Sequence, residues 1–102
     1  MICNSNQNSF NMETTNMITF NDLEFKQDIQ RGLNAARIMF DNGYGASVII
    51  GPYTYGGEDG LYELGVLGKD GKLTYDTPVT DDVKGYLSED DVTKLLEQIQ
   101  KL

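Results

Sequence analysis

The stretch "LYELGVLGKDGKLTYDTP" (residues 61–78) decides how this sequence is expected to fold, because it places two candidate strands around a turn signal. Every second residue from Tyr62 to Val66 is apolar, which is typical of a strand with one buried face. The Asp-Gly pair at the centre of "KDGK" (69–72) favours a two-residue hairpin turn. With that turn, Val66 pairs with Tyr75 on the face that is expected to be buried.

The region before the sheet is predicted to form an α-helix that starts near Asn21 and stops at "DNG" (41–43). Asn21 and Glu24 have the spacing of a capping box, which favours a helix start. Gly32 inside the pattern indicates close packing, and Gly43 suits the left-handed conformation that often ends a helix. The apolar residues that recur at helical spacing are Phe25, Ile29, Leu33, Ala36 and Phe40.

A further strand is predicted at residues 45–50, and a second helix at the C-terminus. Every second residue from Ala46 to Ile50 is apolar. "TDDV" (80–83) has the composition of a single capped helical turn. The C-terminal helix is expected to begin after Ser88, whose hydroxyl is a good N-cap and is followed by three acids. The apolar residues that then follow at helical spacing are Val92, Leu95, Leu96, Ile99 and Leu102.

Together these elements predict an α+β domain of order αβββα, with both helices packed on one face of a three-stranded antiparallel sheet. The domain is expected to span residues 19–102, after a flexible polar arm at residues 1–18. Three apolar residues would lie on the face away from the helices, which favours a partner or a homodimer on that side. These residues are Ile49, Leu61 and Leu67.

The 102-residue chain is strongly acidic, with a formal net charge of −8. Phosphate backbones repel such a protein, so direct binding to nucleic acid or to an anionic membrane is disfavoured. Basic protein surfaces are the expected partners, although acidity also serves solubility alone. The single cysteine, Cys3, cannot form an internal disulfide, and no apolar run approaches the roughly 18 residues of a membrane span. A cytoplasmic location is expected.

The residues that catalysis usually needs are scarce. The chain has no histidine to act as a base, and Cys3 lies in the predicted arm. The acidic pair at 81–82 and the three acids at 89–91 fall where helix N-termini favour negative charge, so we interpret them as caps and not as an acid–base pair. The sequence therefore predicts a protein that is not an enzyme.

Metal and cofactor sites are equally poorly supported. Without histidine, and with one cysteine, the chain has no zinc-ligand pattern. "KDGKLTYDTPVTDD" (69–82) fails the EF-hand pattern, because Gly71 lacks acidic or amide residues three and five positions before it. A weak calcium site from Asp76, Asp81 and Asp82 is the one metal alternative, and no cofactor is predicted.

"GPYTYGGEDG" (51–60) raises the question of a ligand loop. It lacks the Lys-Ser/Thr that follows the last glycine of a phosphate-binding loop, and Glu58 and Asp59 would repel phosphate. Tyr53 and Tyr55 instead suit protein recognition, because a tyrosine offers a rigid ring and a polar tip. An inert turn is the alternative.

The acidic residues are concentrated around this loop and after it. From Glu58 to Asp91 there are ten acids and three lysines, whereas the rest of the chain holds six acids and five basic residues. Such a charge distribution would steer the protein toward a basic groove. Tyr62 and Tyr75 are assigned to the core, with Tyr44 and Tyr86 as further core candidates. The predicted partner-binding residues are Tyr53, Tyr55, Glu58, Asp59, Asp76, Asp81 and Asp82.

Four segments carry a resemblance to a known group: "NGYGASVI" (42–49), "GLYELGVL" (60–67), "YDTPVTDDVKGYL" (75–87) and "DDV" (90–92). Together they resemble a group of small, largely uncharacterised proteins encoded by bacteriophages and prophages, over roughly residues 41–100. The resemblance implies a phage setting and no activity. Small acidic phage proteins of this size often resemble inhibitors of host defence, including anti-CRISPR and anti-restriction proteins, and that association is one of setting only.

Three hypotheses follow. The first is a non-enzymatic phage inhibitor that binds a basic, nucleic-acid-handling host protein, for example a CRISPR effector, in the host cytoplasm. The second is an oligomer that sequesters a nucleotide signal, with Arg31, Arg37 or Lys84 meeting the phosphate. The third is a phage accessory protein without a role in defence.

Overall fold

Five short strands and one longer helix account for the regular structure in the computed structural model, which describes residues 17–80 and 82–102. In chain order, the strands are β1 (Lys26–Asp28), β2 (Leu33–Met39), β3 (Gly45–Ile50), β4 (Tyr62–Leu67) and β5 (Lys84–Leu87), and the helix is α1 (Glu89–Gln100). Short 3₁₀ turns lie at Phe20–Asp22 and Gly57–Asp59. The predicted arm falls mostly on residues 1–16, outside the described residues. Ile18 exchanges hydrogen bonds of 2.8 and 2.9 Å with the Gln100 side chain.

The strands form one antiparallel sheet in which each strand pairs with its neighbour in sequence, in the order β1-β2-β3-β4-β5. The predicted α+β class is confirmed. The predicted order αβββα is wrong, because the described chain has five strands and a single α-helix.

The first predicted helix, over residues 21–40, is instead the hairpin of β1 and β2. β2 pairs with β3 from Asn34 to Met39, so long-range pairing outweighs the local helical spacing. Gly32 has φ +67° in the turn between β1 and β2, where its N–H donates to the Asp28 carbonyl at 2.8 Å. That left-handed conformation does not occur inside a helix.

The third predicted strand, residues 72–77, is reduced to one bridge between Leu67 and Leu73. The turn holds three residues rather than two, because Gly71 adopts φ +78° and Gly68 N–H donates to the Lys72 carbonyl at 2.8 Å. This shifts the register by one residue. The predicted pairing of Val66 with Tyr75 is therefore wrong, and Tyr75 is 47% exposed instead of buried.

The C-terminal helix is confirmed, with a capping box at its start. Asp91 N–H donates to the Ser88 hydroxyl and Ser88 N–H donates to the Asp91 carboxylate, each at 3.1 Å. The Ser88 N–H, with a smaller contribution from the Ser88 hydroxyl, lowers the pKa of the Asp91 carboxyl below its ordinary value of 3.8. The single turn predicted at 80–83 is absent from the residues described there, 80 and 82–83.

The core lies between α1 and one face of the sheet. α1 contributes Val92, Leu96 and Ile99, each fully buried. The sheet residues buried beneath them are Ala46, Val48, Leu64, Val66 and Leu87.

An aromatic cluster closes one side of this core. The rings of Phe20 and Phe25 lie 5.0 and 5.6 Å from the ring of Tyr62 between centroids. Burial, with a smaller contribution from the Glu89 charge, raises the pKa of the Tyr62 hydroxyl above 10.0.

The opposite face of the sheet is partly covered by the segment after β4. Leu73 lies over Gly65, and the Arg37 guanidinium donates to the Gly71 carbonyl. Leu67, which was expected to be exposed on this face, is only 1% exposed. The expectation of an open apolar face is therefore wrong at Leu67.

Candidate protein-binding site

β3 and β4 are connected by residues 51–61, a loop that is held together by hydrogen bonds among its own residues. We call it the tyrosine loop. Thr54 closes its first turn: the Gly51 N–H donates to the Thr54 hydroxyl at 3.0 Å, and the Thr54 N–H donates to the Gly51 carbonyl at 3.2 Å. Gly57 N–H then donates to the Thr54 carbonyl at 3.1 Å, and Leu61 N–H donates to the Gly56 carbonyl at 2.9 Å. These consecutive bonds fix the course of the loop backbone.

Two further bonds fasten the middle of the tyrosine loop to the sheet. Tyr55 N–H donates to the Glu63 carboxylate of β4 at 2.9 Å, and the Tyr55 carbonyl accepts from Tyr86 N–H of β5 at 3.0 Å. Gly85 permits this approach, since a Cβ there would overlap the Tyr55 Cβ. Tyr55 is thus held between β4 and β5.

The glycines of the tyrosine loop allow its turns to pack closely against each other. A Cβ on Gly57 would overlap the Gly51 carbonyl oxygen, so only glycine allows the two turns to stack. The Gly51 and Gly57 N–H groups donate to Thr54 within the loop. A loop whose amides bond internally offers little for holding a phosphate.

Three tyrosine side chains project from the tyrosine loop and from β5, to which the loop is hydrogen-bonded. Tyr53 is 94% exposed, Tyr55 60% and Tyr86 63%. Tyr53 and Tyr86 border a surface depression of about 220 Å³. The residues that line the depression are Pro52, Tyr53, Thr54, Gly56, Glu58, Asp59 and Tyr86.

Tyr86 was missed as a site residue because its sequence context suggested the core. It lies next to an irregularity in the β4–β5 pairing and has φ +57°, an uncommon conformation for a tyrosine. This backbone geometry accompanies a side chain that is largely exposed. No pattern of charge or hydrophobic alternation in the sequence marks Tyr86 as a surface residue.

Among the residues that the structure describes, no cation forms an ion pair with the carboxylates of the depression. Glu58 and Asp59 are exposed in the 3₁₀ turn, and none of the residues that line the depression is basic. Within residues 17–80 and 82–102, the one ion pair joins Arg31 to Asp28 at 2.7 Å. The negative charge of the tyrosine loop is therefore open to an external partner.

Of the remaining predicted acids, the two that are described, Asp76 and Asp82, do not line the depression. Asp76 and Asp82 are exposed in the segment between β4 and β5, and the Asp82 carboxylate accepts from Val83 N–H at 2.7 Å. Asp81 lies outside the described residues. Among those described, no group of three acidic or cysteine side chains could hold a metal ion, so the calcium alternative gains no support.

The basic residues of the nucleotide hypothesis lie on separate elements. Arg31 pairs with Asp28 in the β1–β2 turn, while Arg37 donates to the Gly71 carbonyl across the sheet. Lys84 lines a different cavity, beside α1. A single protomer does not bring these three cations to one site.

In comparisons with known proteins, no protein-family model, curated protein or solved structure matches the chain. In the part of the chain that is described, no helix has both the length and the apolar character to cross a lipid bilayer.

Proposed function

We propose that this protein is a non-enzymatic inhibitor of phage type, which binds a basic host protein through the tyrosine loop and Tyr86. The observation that carries the proposal is the combination of three exposed tyrosines with two unpaired carboxylates on a backbone fixed by hydrogen bonds. A tightly bonded backbone loses little entropy on binding, and tyrosine is enriched at the energetic centres of protein interfaces.

The charge distribution supports a basic partner. Glu58 and Asp59 border the tyrosines, and Asp76 and Asp82 add exposed negative charge from the following segment. Such a field raises the rate of encounter with a positively charged surface and falls with salt. In the phage setting suggested by the sequence resemblance, a host-defence protein that handles nucleic acid, such as a CRISPR effector in the bacterial cytoplasm, has such a surface.

The test is affinity capture from bacterial lysate with the tagged full chain, washed at low and then at high salt. One variant, Tyr53→Ser/Tyr55→Ser/Tyr86→Ser, removes the three rings. The matched control is Tyr75→Ser, because Tyr75 is also exposed but lies in the segment after β4. Circular dichroism establishes that each variant is folded.

The proposal predicts that wild type and Tyr75→Ser retain the same basic protein at low salt and release it at high salt, while the triple variant retains none. Equal retention by the triple variant would show that the tyrosines are not the binding site. A bait that retains no protein but shows a thermal shift with a nucleotide would favour the sequestering hypothesis.

A further inference from the structure

The outer edge of β2 extends beyond the strand that pairs with it. β1 covers only Leu33–Ala35, with Lys26 opposite Ala35 at the end of the pairing. On its other side, β2 pairs with β3 as far as Met39. In the described chain, no strand lies beside β2 from Ala36 to Met39 on the outer side.

Two hydrogen bonds show which backbone groups point outwards. Phe40 N–H donates to the Tyr44 carbonyl at 2.7 Å, so the even-numbered residues of β2 direct their backbone groups to β3. Asp28 pairs with the odd-numbered Leu33 and turns its carbonyl towards the β2 side, where it accepts from Gly32 of the turn, so odd-numbered residues of β2 face β1. Arg37 and Met39 therefore present N–H and C=O groups along the open edge. Among the described turn and loop hydrogen bonds, none occupies these groups.

A groove follows this edge, made of two cavities that both include Ile38 in their lining. The first, of about 410 Å³, lies between residues 22–26 and the β2 edge. The second, of about 360 Å³, lies between residues 17–18 and the end of β2, with Gln100 as a further lining residue. The far wall is fixed in place, because Ile18 bonds to Gln100. An extended chain could therefore enter without displacing a paired strand.

We propose that this groove binds an extended basic peptide segment of another protein, which adds to the sheet as a strand beside Arg37 and Met39. Unpaired N–H and C=O groups on a strand edge recognise an extended backbone in this way. The two cavities of the groove share no lining residue with the tyrosine loop, and this proposal does not depend on the function proposed above.

The charge of the residues that line the groove favours a basic peptide as its occupant. The exposed acids Asp22, Glu24 and Asp41 line the two cavities. The lining also holds two cations, Lys26 and the Arg37 guanidinium that donates to the Gly71 carbonyl, so the acids outnumber the cations by three to two. Lysine or arginine on the incoming strand would complement this rim. A second copy of the chain, with its formal net charge of −8, is disfavoured by like-charge repulsion.

The test is a titration of the ¹⁵N-labelled full chain with an acetylated, amidated peptide of alternating lysine and valine, seven residues long. The control peptide replaces each lysine with glutamate. The expected result is that amide signals of Arg37 and Met39 shift, and that their hydrogen exchange slows at least tenfold at saturation, with the lysine peptide only.

Met39→Pro and Met39→Ala form the matched pair of variants. Proline removes the outward N–H and is tolerated on an open edge, whereas alanine keeps the N–H. Losing one donor, at about 0.5–1.5 kcal/mol, corresponds to roughly a two- to tenfold weaker dissociation constant for Met39→Pro. Met39→Ala is expected to bind as wild type does.

Equal binding by Met39→Pro would overturn the proposal, as would shifts confined to other surfaces. Slow exchange of Arg37 and Met39 in the isolated protein would also overturn it, because the edge would then be paired already. If that protection rose with protein concentration, the occupant would be a second copy and not a basic peptide. Should Met39→Pro fail to fold, the wild-type exchange measurement decides alone.

Discussion

Replacing Gly32 with alanine distinguishes the observed hairpin from the helix that the local sequence favours. In the hairpin, Gly32 has φ +67° and no atom lies within 4 Å of the place a Cβ would occupy, so the cost is conformational and not steric. Holding alanine in the left-handed region costs about 1–2 kcal/mol, and the stiffer unfolded chain returns about 0.4–1 kcal/mol. We therefore expect Gly32→Ala to lower the free energy of unfolding by about 0.5–1 kcal/mol.

If the residues around Gly32 formed a helix, Gly32→Ala would change the free energy of unfolding in the opposite direction. There, Gly32→Ala would raise the free energy of unfolding by about 1 kcal/mol, so the two structures differ by more than a tenfold change in the unfolding constant. Urea denaturation followed by circular dichroism measures this difference. Gly60→Ala is the calibrating variant, because Gly60 also has positive φ, +75°, with nothing within 4 Å of its Cβ position. A loss similar to that of Gly60→Ala supports the hairpin, and a gain in stability for Gly32→Ala would refute it.

The remaining predictions concern α1 and the tyrosine loop. Leu96 is fully buried, so Leu96→Ala should lower the free energy of unfolding by about 3–5 kcal/mol in urea denaturation, and a loss below about 1 kcal/mol would contradict this packing. Ser88→Ala removes the N-cap and should lower the free energy of unfolding by about 1 kcal/mol in the same assay. An unchanged free energy of unfolding would show that the cap is not formed in solution. The Ser88 N–H, and to a smaller extent the Ser88 hydroxyl, lowers the pKa of Asp91, so the stabilisation by the ionised Asp91 carboxylate is present above pH 3.8 and is lost as the pH falls through the lowered pKa. Thermal melts from pH 7 to pH 2 should therefore show a smaller acid-induced loss in Asp91→Asn than in wild type, and identical pH profiles would contradict this assignment. Gly57→Ala should shift the amide signals of the tyrosine loop but not those of α1, and an unshifted loop would disprove the close approach to Gly51.

The elements that could be predicted from the sequence are those with local signals. Ser88 and the acids after it mark the start of α1, and Val92, Leu95, Leu96 and Ile99 face the core as expected. Leu102 was expected on the same face, but it lies beyond the end of α1 and is 36% exposed. β3 and β4 were predicted because their alternation continues for about six residues and matches the buried face. In these segments, local preference and tertiary packing agree.

The hairpin of β1 and β2 could not be predicted because two periodicities overlap there. Leu33, Ala36 and Phe40 fit a helix, whereas Ala36, Ile38 and Phe40 fit a strand, and only the partner strand β3 decides between them. Gly32 was the available signal, since a glycine in mid-helix is unfavourable.

The candidate site was predictable in part. Tyr53 and Tyr55 are exposed, as an interface requires, while their role in binding stays a prediction. Tyr86 escaped notice because β5 is only four residues long, too short to reveal alternation. The acids at 76 and 82 were grouped with the loop by sequence proximity alone, and neither lines the depression beside Tyr53 and Tyr86.

The most direct test of the account is the rate of association with the captured partner, measured by stopped-flow fluorescence at increasing ionic strength. Wild type is compared with Glu58→Gln/Asp59→Asn and with Glu97→Gln, a control that removes an exposed charge from α1. Electrostatic steering through the tyrosine loop predicts that the association rate of wild type falls steeply with salt, that the double variant is slower and less sensitive to salt, and that Glu97→Gln resembles wild type. Equal rates and equal salt dependence for all three proteins would contradict the claim that the acidic tyrosine loop binds a basic partner.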